Sequence, residues 1–98
     1  MSEESCARKA HHPYEAKQKM ISRLNRIGGQ LKGIARMIEE DVYCDDILHQ
    51  IMSVESALRG VKNQLLEAHM KSCVVHQIQD GQLEVVDELV KTIGKMSR

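Results

Sequence analysis

The chain has 98 residues, of which 42% are hydrophobic, and it contains no Phe or Trp. This length suits one small domain whose aliphatic core other chains help to complete, rather than a multidomain protein. Its 14 basic and 14 acidic residues cancel, so overall charge gives no argument for nucleic acid. The three cysteines are odd in number and widely spaced, which makes a poor disulfide framework and favours reduced thiols.

Residues 1–13 lack apolar periodicity and end at the only proline. We therefore predict a flexible N-terminal tail, followed by a single helical domain over residues 14–98. The tail lacks the apolar core of a signal peptide, and no later run is long enough to span a bilayer, so we expect a cytoplasmic protein. The sequence assigns no role to Cys6 or His11.

The first predicted helix covers about residues 14–40, because an apolar stripe follows steps of four and three. Three glycines inside this helix suggest that another backbone approaches closely, and a loose or kinked helix is the competing interpretation. Between residues 16 and 38 there are basic residues and no acid, so one edge of the helix is a candidate strip for DNA phosphates, although a solvated face is the competing interpretation. The apolar stripe consists of Met20, Leu24, Ile27, Leu31, Ile34 and Ile38, and the glycines are Gly28, Gly29 and Gly33. The candidate DNA contacts on this helix are Lys19, Arg23, Arg26, Lys32 and Arg36. Two further candidates, Arg59 and Lys62, lie on the next helix.

A second helix is predicted from about residue 45 to 78, and a third, amphipathic helix follows Asp80-Gly81. The fold class is thus all-α, since the aliphatic composition also favours helix over strand. Two long helices joined by a short turn form an antiparallel hairpin with a wide apolar face. Such a hairpin is expected to pair with a second copy as a four-helix bundle.

Three soft donors are candidates for a metal site. His69 and Cys73 are four residues apart on the second helix and therefore face the same ion, although such a pair alone is more often structural. Cys44 lies at the other end of that helix, about 37 Å from His69. We therefore expect the site to be shared between two antiparallel copies, with Cys44 of one chain beside His69 and Cys73 of the other.

Two thiolates and one imidazole suit three-coordinate Cu(I), whereas zinc would require a fourth ligand. His12 in the tail is a candidate fourth ligand, and its nitrogen would shift the preference toward Ni(II) or Zn(II). The competing interpretation is that His11 and His12 belong to an unstructured tail.

Three motifs occur in order: Arg23-Leu-x-Arg-Ile-x-Gly-Gln30, Tyr43-Cys44-x-Asp-Ile-Leu-x-Gln-Ile51, and His69-x3-Cys73-Val74. Over about residues 16–95 the chain resembles the CsoR-type metal-sensing repressors. The resemblance implies a three-helix protomer, a dimeric four-helix bundle and a tetramer. It also implies repression of metal-efflux genes through double-stranded operator DNA, which is released when the inducer binds.

In the copper-sensing branch of this family the ligands match Cys44, His69 and Cys73, and a Tyr and a Glu behind the ligands match Tyr43 and Glu88. The nickel-sensing branch is similar and adds a tail histidine, whose place His12 holds. Relatives that sense formaldehyde or nickel and cobalt replace Cys73, and persulfide sensors lack the histidine. The resemblance therefore implies Cu(I) first and Ni(II) second.

Other functions remain open from the residues. A metal carrier would use the same ligands without operator DNA. A thiol- or persulfide-responsive repressor would link Cys44 and Cys73 across the dimer. A cysteine enzyme is the least favoured, because Cys44 and His69 meet only across subunits and Cys73 has no evident substrate pocket.

Overall fold

A computed structural model describes residues 12–96, and all regular structure in that range is helical. Helix α1 covers Tyr14–Glu39 and α2 covers Cys44–His69; a π-helical segment, Met70–Val74, leads into α3, Val75–Gln79, and α4 covers Glu84–Met96. The all-α prediction is confirmed. The predicted start of helix at Tyr14 agrees with α1, whereas Cys6, His11 and the rest of the tail before His12 lie outside the described residues.

The three predicted helices correspond to α1, to the run from α2 through the π segment to α3, and to α4. The second of these differs from the prediction, which had one regular α-helix. At the junction the N–H of Val75 donates to the carbonyl of Met70, the i→i−5 bond of a π turn. None of the helices between residues 12 and 96 combines the length and the apolarity needed to cross a membrane.

Residues 13–65 form one compact unit, a hairpin of α1 and the greater part of α2. Its core repeats every seven residues on both helices, so that one side chain from every second turn enters the seam between them. Residues Met37, Val42 and Ile51 pack against this seam. The seam consists of Met20, Ile27 and Ile34 from α1 and Ile47, Val54 and Val61 from α2.

The remaining members of the predicted apolar stripe of α1, and the residues of α2 that repeat its spacing, are exposed in the single chain, apart from the partly buried Ile51. Leu31 is 54% exposed and Leu58 48%. These residues lie four positions after a buried residue, on one flank of the seam, and one neighbouring helix is too narrow to cover both rows. We call this row the apolar flank; it comprises Leu24, Leu31, Ile38, Leu58 and Leu65.

The expected close backbone approach at the α1 glycines is not found among residues 12–96 of the single chain. A Cβ atom added at Gly28, Gly29 or Gly33 would meet nothing within 4 Å. Within the single chain, no steric contact therefore explains why glycine stands at these three positions.

The turn that separates α1 from α2 is built by backbone hydrogen bonds. Asp41 adopts a positive φ of 57°, a conformation that Asp tolerates better than most residues. The N–H of Val42 donates to the carbonyl of Met37 at 3.0 Å, and that of Asp41 donates to Ile38 at 3.2 Å, which together make a Schellman motif. The motif ends α1 sharply, so that α2 begins at Cys44.

The second compact unit contains residues 66–96 together with His12. Its buried side chains are Cys73, Val74 and Val85. Helix α3 contacts both the π segment and α4, and it ends in another Schellman motif at Gly81, whose φ is +83°. The predicted break at Asp80-Gly81 is thus confirmed, and it turns the chain into α4.

Candidate functional site

Cys44 is the first residue of α2 and is exposed. The preceding Tyr43 carbonyl accepts the N–H groups of Asp46 and Ile47 at 3.1 and 3.3 Å, which starts the helix. One turn on, His49 Nε2 lies 3.3 Å from the Asp45 carboxylate. The Cys44 thiol is therefore open to solvent and to a second molecule.

Cys73 differs from Cys44 in almost every respect. It lies inside the π segment and is 2% exposed. His69, the last residue of α2, is half-buried immediately before that segment. Both belong to the unit of residues 66–96. His69 and Cys73 therefore lie about one helical turn apart. Segments of π-helix are rare in proteins, and those that occur are often at functional sites.

The described residues of one chain do not form a complete metal site. Among residues 12–96, no three His, Cys, Asp or Glu side chains come together in a way that could hold an ion. Cys44 and His69 are the first and last residues of the 26-residue helix α2, a separation of about 37 Å along a regular helix. The structure therefore leaves the three predicted ligands in two parts within each chain.

His12 groups with residues 66–96 in one compact unit. Its Nδ1 atom is buried and has no hydrogen-bond partner. An imidazole nitrogen in that state is an acceptor or donor that the described part of the chain does not satisfy.

The remaining predicted neighbours of the ligands, Tyr43 and Glu88, are both exposed in the single chain.

The predicted DNA contacts all lie in the hairpin and are exposed. Arg23 and Arg26 come together at a groove of about 460 Å³ between α1 and α2. Arg23 Nη1 donates to Gln64 Oε1 at 2.8 Å across the hairpin. Arg59 and Lys62 lie instead at a separate hollow of about 320 Å³ with Glu55 and Leu58. Of the five basic residues predicted on α1, Arg23 and Arg26 are thus the two that line this groove.

Residues 16–95 match the sequence profile of the family described as metal-sensitive transcriptional repressor. The chain belongs to this family. The extent of the match agrees with the resemblance seen in the three motifs. The protein is therefore a metal-sensitive transcriptional repressor.

Relatives and a solved structure agree with that assignment. The repressor is 49% identical to the copper-sensing transcriptional repressor RicR of Mycobacterium tuberculosis over 72 residues, which are 74% of this chain and 75% of that protein. It is 39% identical to the copper-sensing transcriptional repressor CsoR of Bacillus subtilis, over 90% of this chain and 88% of that one. The crystal structure of the copper-sensing repressor CsoR with Cu(I) from Geobacillus thermodenitrificans superposes with a TM-score of 0.83 at 38% identity, covering 90% of this chain and 93% of the other.

Several features of the site were not found from the sequence. The π segment has no local signal, since Met70–Val74 reads as ordinary helix. Gln30 occurs in the first motif but no role was predicted for it, and Gln64 was not among the predicted site residues. Gln30 and Gln64 each lie three residues after an apolar position, Ile27 or Val61, that proves to be buried. This shared spacing is the one signal that could have predicted that both lie on the same side of the hairpin.

Proposed function

We propose that this repressor is copper-responsive. Its metal-free oligomer binds double-stranded operator DNA, and Cu(I) bound between subunits lowers that affinity and derepresses metal-efflux genes. The observation that carries the proposal is the division of the ligand candidates, with exposed Cys44 at one end of α2 and His69 and Cys73 at the other. Its relatives are copper-sensing repressors.

The donor chemistry fits this metal. Two thiolates and one imidazole form a soft, low-coordinate set, which suits Cu(I) better than Zn(II) or Mg(II). Cys44 is reachable by another molecule, while Cys73 is shielded from water. On this proposal both cysteines are ligands and not nucleophiles, and the chain is not an enzyme. Tyr43 precedes one ligand directly, and we assign Tyr43 and Glu88 to the surroundings of the ligands.

Self-association supplies the missing half of the site. The apolar flank exposes a row of leucine and isoleucine along the hairpin, and contiguous exposed apolar side chains often mark an interaction surface. Packing it against the same flank of a second copy makes an antiparallel four-helix bundle, with further association to a tetramer. In that bundle Cys44 of one copy lies beside His69 and Cys73 of the other.

The coupling between metal and DNA is negative. Cu(I), when bound, joins two chains and so selects one setting of their helices. The predicted phosphate contacts Lys19, Arg23 and Arg26 repeat by symmetry in the oligomer, so a change in that setting alters how well they match duplex DNA. As a transcriptional regulator, the protein acts in the cytoplasm.

The test is operator binding measured with and without Cu(I) in the wild type and in Cys44→Ala. We expect wild-type affinity to fall by about 5- to 150-fold with Cu(I), the usual range of such couplings, and Cys44→Ala to show no fall. Cys6→Ala is the matched control, since it removes a thiol outside the ligand set. Equal affinity in all conditions contradicts the proposal, and release by sulfide instead of Cu(I) indicates a thiol-responsive repressor.

A nickel-responsive repressor is the second candidate, and one observation favours it. The buried Nδ1 of His12 has no partner and lies in the unit that holds His69 and Cys73. X-ray absorption of the Cu(I) and Ni(II) forms separates the two. Two sulfurs and one nitrogen around Cu(I), unchanged in His12→Ala, support copper; an additional nitrogen around Ni(II), lost in His12→Ala together with release of DNA by Ni(II), supports nickel.

A further inference from the structure

We propose that the repressor takes up Cu(I) in two ordered steps. Cys44 captures the ion from its carrier, and Cys73 joins only after the unit of residues 66–96 has opened. The inference rests on the proposed function, because it names how the metal site of that function is loaded. Its basis is the contrast between the two ligand candidates, since Cys44 is exposed and Cys73 is buried.

Cys44 is accessible because of its place in the fold. It is the first residue of α2, and Tyr43, Asp45 and Asp46 on either side of it are exposed as well. Cu(I) prefers soft thiolate ligands, so in a thiol-rich solution it arrives attached to a carrier. Exchange of ligands then needs a sulfur that reaches the ion while the carrier still holds it. In the single chain, Cys44 meets this requirement.

Cys73 is shielded by its own chain. It is only 2% exposed, and the unit that contains it also buries Val74 and Val85. Because this burial arises within one chain, association with a second copy cannot remove it. A carrier molecule is too large to approach a sulfur that is almost fully covered. Cys73 therefore reaches the ion only when its unit opens locally.

The unit of residues 66–96 has few features that hold it closed. Its π segment and α3 have five residues each, and helices this short are marginal without tertiary support. Among the described residues of the unit, three side chains are buried, whereas the seam of the hairpin contains six. Regions with few buried apolar contacts open at a lower free energy than the whole protein. The unit therefore opens while the hairpin stays folded.

The two steps balance in atoms and in charge. In the first step the Cys44 thiol releases its proton to solvent, a bond forms between its Sγ atom and Cu(I), and one bond from the ion to the carrier breaks. In the second step His69 and Cys73 of the other copy bind, the Cys73 thiol releases its proton, and the last bond to the carrier breaks. Copper remains Cu(I) throughout, so no oxidant or reductant takes part. Release of DNA belongs to the second step, because two chains are joined only then.

Stopped-flow mixing with Cu(I) held by the chromophoric chelator bicinchoninate tests the order. In the wild type we expect a first phase whose rate rises with the concentration of the chelate. A second phase should have a constant rate, because opening occurs within the protein. Release of a fluorescent operator, followed by anisotropy, should coincide with the second phase.

Removal of each cysteine should affect a different phase. Cys44→Ala should lose the concentration-dependent phase and take up Cu(I) at least about tenfold more slowly, because uptake then waits for the unit to open. Cys73→Ala should keep the rate of the first phase within about twofold, lose the second phase and retain the operator, since its exposed thiol is intact.

Alkylation of the metal-free repressor by iodoacetamide tests the shielding without copper. A Cys6→Ala background leaves Cys44 and Cys73 as the two thiols, and mass spectrometry follows each one. We expect Cys73 to react at least about tenfold more slowly than Cys44.

A matched pair of valine variants tests the opening itself. Val85 and Val54 are each 7% exposed, but Val85 lies in the unit of Cys73 and Val54 in the seam of the hairpin. Val85→Ala removes buried contacts from the unit, so it should speed both the alkylation of Cys73 and the second phase of uptake severalfold. Val54→Ala should leave both rates within about twofold.

The outcomes separate this inference from the proposed function. A single phase of uptake in the wild type, equal alkylation of the two cysteines, or slower capture by Cys73→Ala than by Cys44→Ala overturns the inference. If circular dichroism shows that Val85→Ala is unfolded, the kinetics of the two cysteine variants still decide. A wild type that binds no Cu(I), or that binds it without releasing DNA, contradicts the proposed function instead.

Discussion

The hairpin of residues 13–65 and the unit of residues 66–96 differ in how regular their helices are. The hairpin has an unbroken seven-residue repeat in its seam, and it contains every predicted DNA contact. The second unit contains the π segment with buried Cys73, and His69 precedes that segment. On the proposed residue assignments, contact with DNA and sensing of the metal use different regions, and Cys44 is the one proposed ligand that lies in the hairpin.

The largest effect is expected when the apolar flank is disrupted. Leu31→Glu places a charge where we propose that two hairpins pack, and an unpaired buried charge costs several kcal/mol. Self-association should weaken by about a hundredfold or more, and both operator binding and Cu(I) binding should be lost with it. Sedimentation equilibrium measures the assembly, and gel shift measures the operator affinity.

The control for Leu31→Glu is Asn25→Glu, which adds the same charge at an exposed position of α1 away from the buried row. It should leave the oligomeric state unchanged. If Leu31→Glu assembles as the wild type does, the apolar flank is not the contact between copies, and the shared metal site loses its physical basis.

An intermediate effect is expected when chains with complementary defects are mixed. Cys44→Ala homodimers and Cys73→Ala homodimers each lack an intact site if the ligands come from two copies. After random exchange, half of the dimers are mixed and each has one intact site, so about a quarter of the wild-type Cu(I) binding should return.

Titration with a chromophoric Cu(I) chelator measures this recovery, and a mixture of Cys73→Ala with His69→Ala serves as the control. Both of its defects lie on the same side of the site, so mixing should restore nothing. Recovery in the control mixture, or none in the test mixture, contradicts the division of ligands between subunits.

The smallest effect is expected from removal of one phosphate contact in the hairpin. Arg23→Ala should lower operator affinity by a similar factor for all DNA sequences. It should reduce the slope of log affinity against log salt by about one for each subunit whose Arg23 contacts the DNA. Fluorescence anisotropy over a salt series gives both quantities. Arg36→Ala, on α1 but outside the groove, should change the slope less; a larger change there would move the DNA surface away from the groove.

Most of the helical structure could be predicted from the sequence, because an α-helix imposes a strict spacing on its apolar residues. The steps of four and three predicted α1 and its stripe, and Asp80-Gly81 predicted the break before α4. The π segment was not predicted, since a change from i→i−4 to i→i−5 hydrogen bonding leaves the apolar pattern nearly unaltered over five residues. The sequence also did not predict which residues of each stripe are buried and which are exposed, because that depends on how the two helices pack.

The sequence by itself determined the helical class, the three soft donors and their separation along the chain, because residue type and a rise of about 1.5 Å per residue decide these. Only the tertiary structure decided that Arg23 is anchored by Gln64, that Gln30 has a buried oxygen without a donor, and that Cys73 is shielded while Cys44 is exposed. Those facts depend on which side chains meet across the hairpin or become covered from solvent. Spacing along a chain specifies a face, and packing decides what that face contacts.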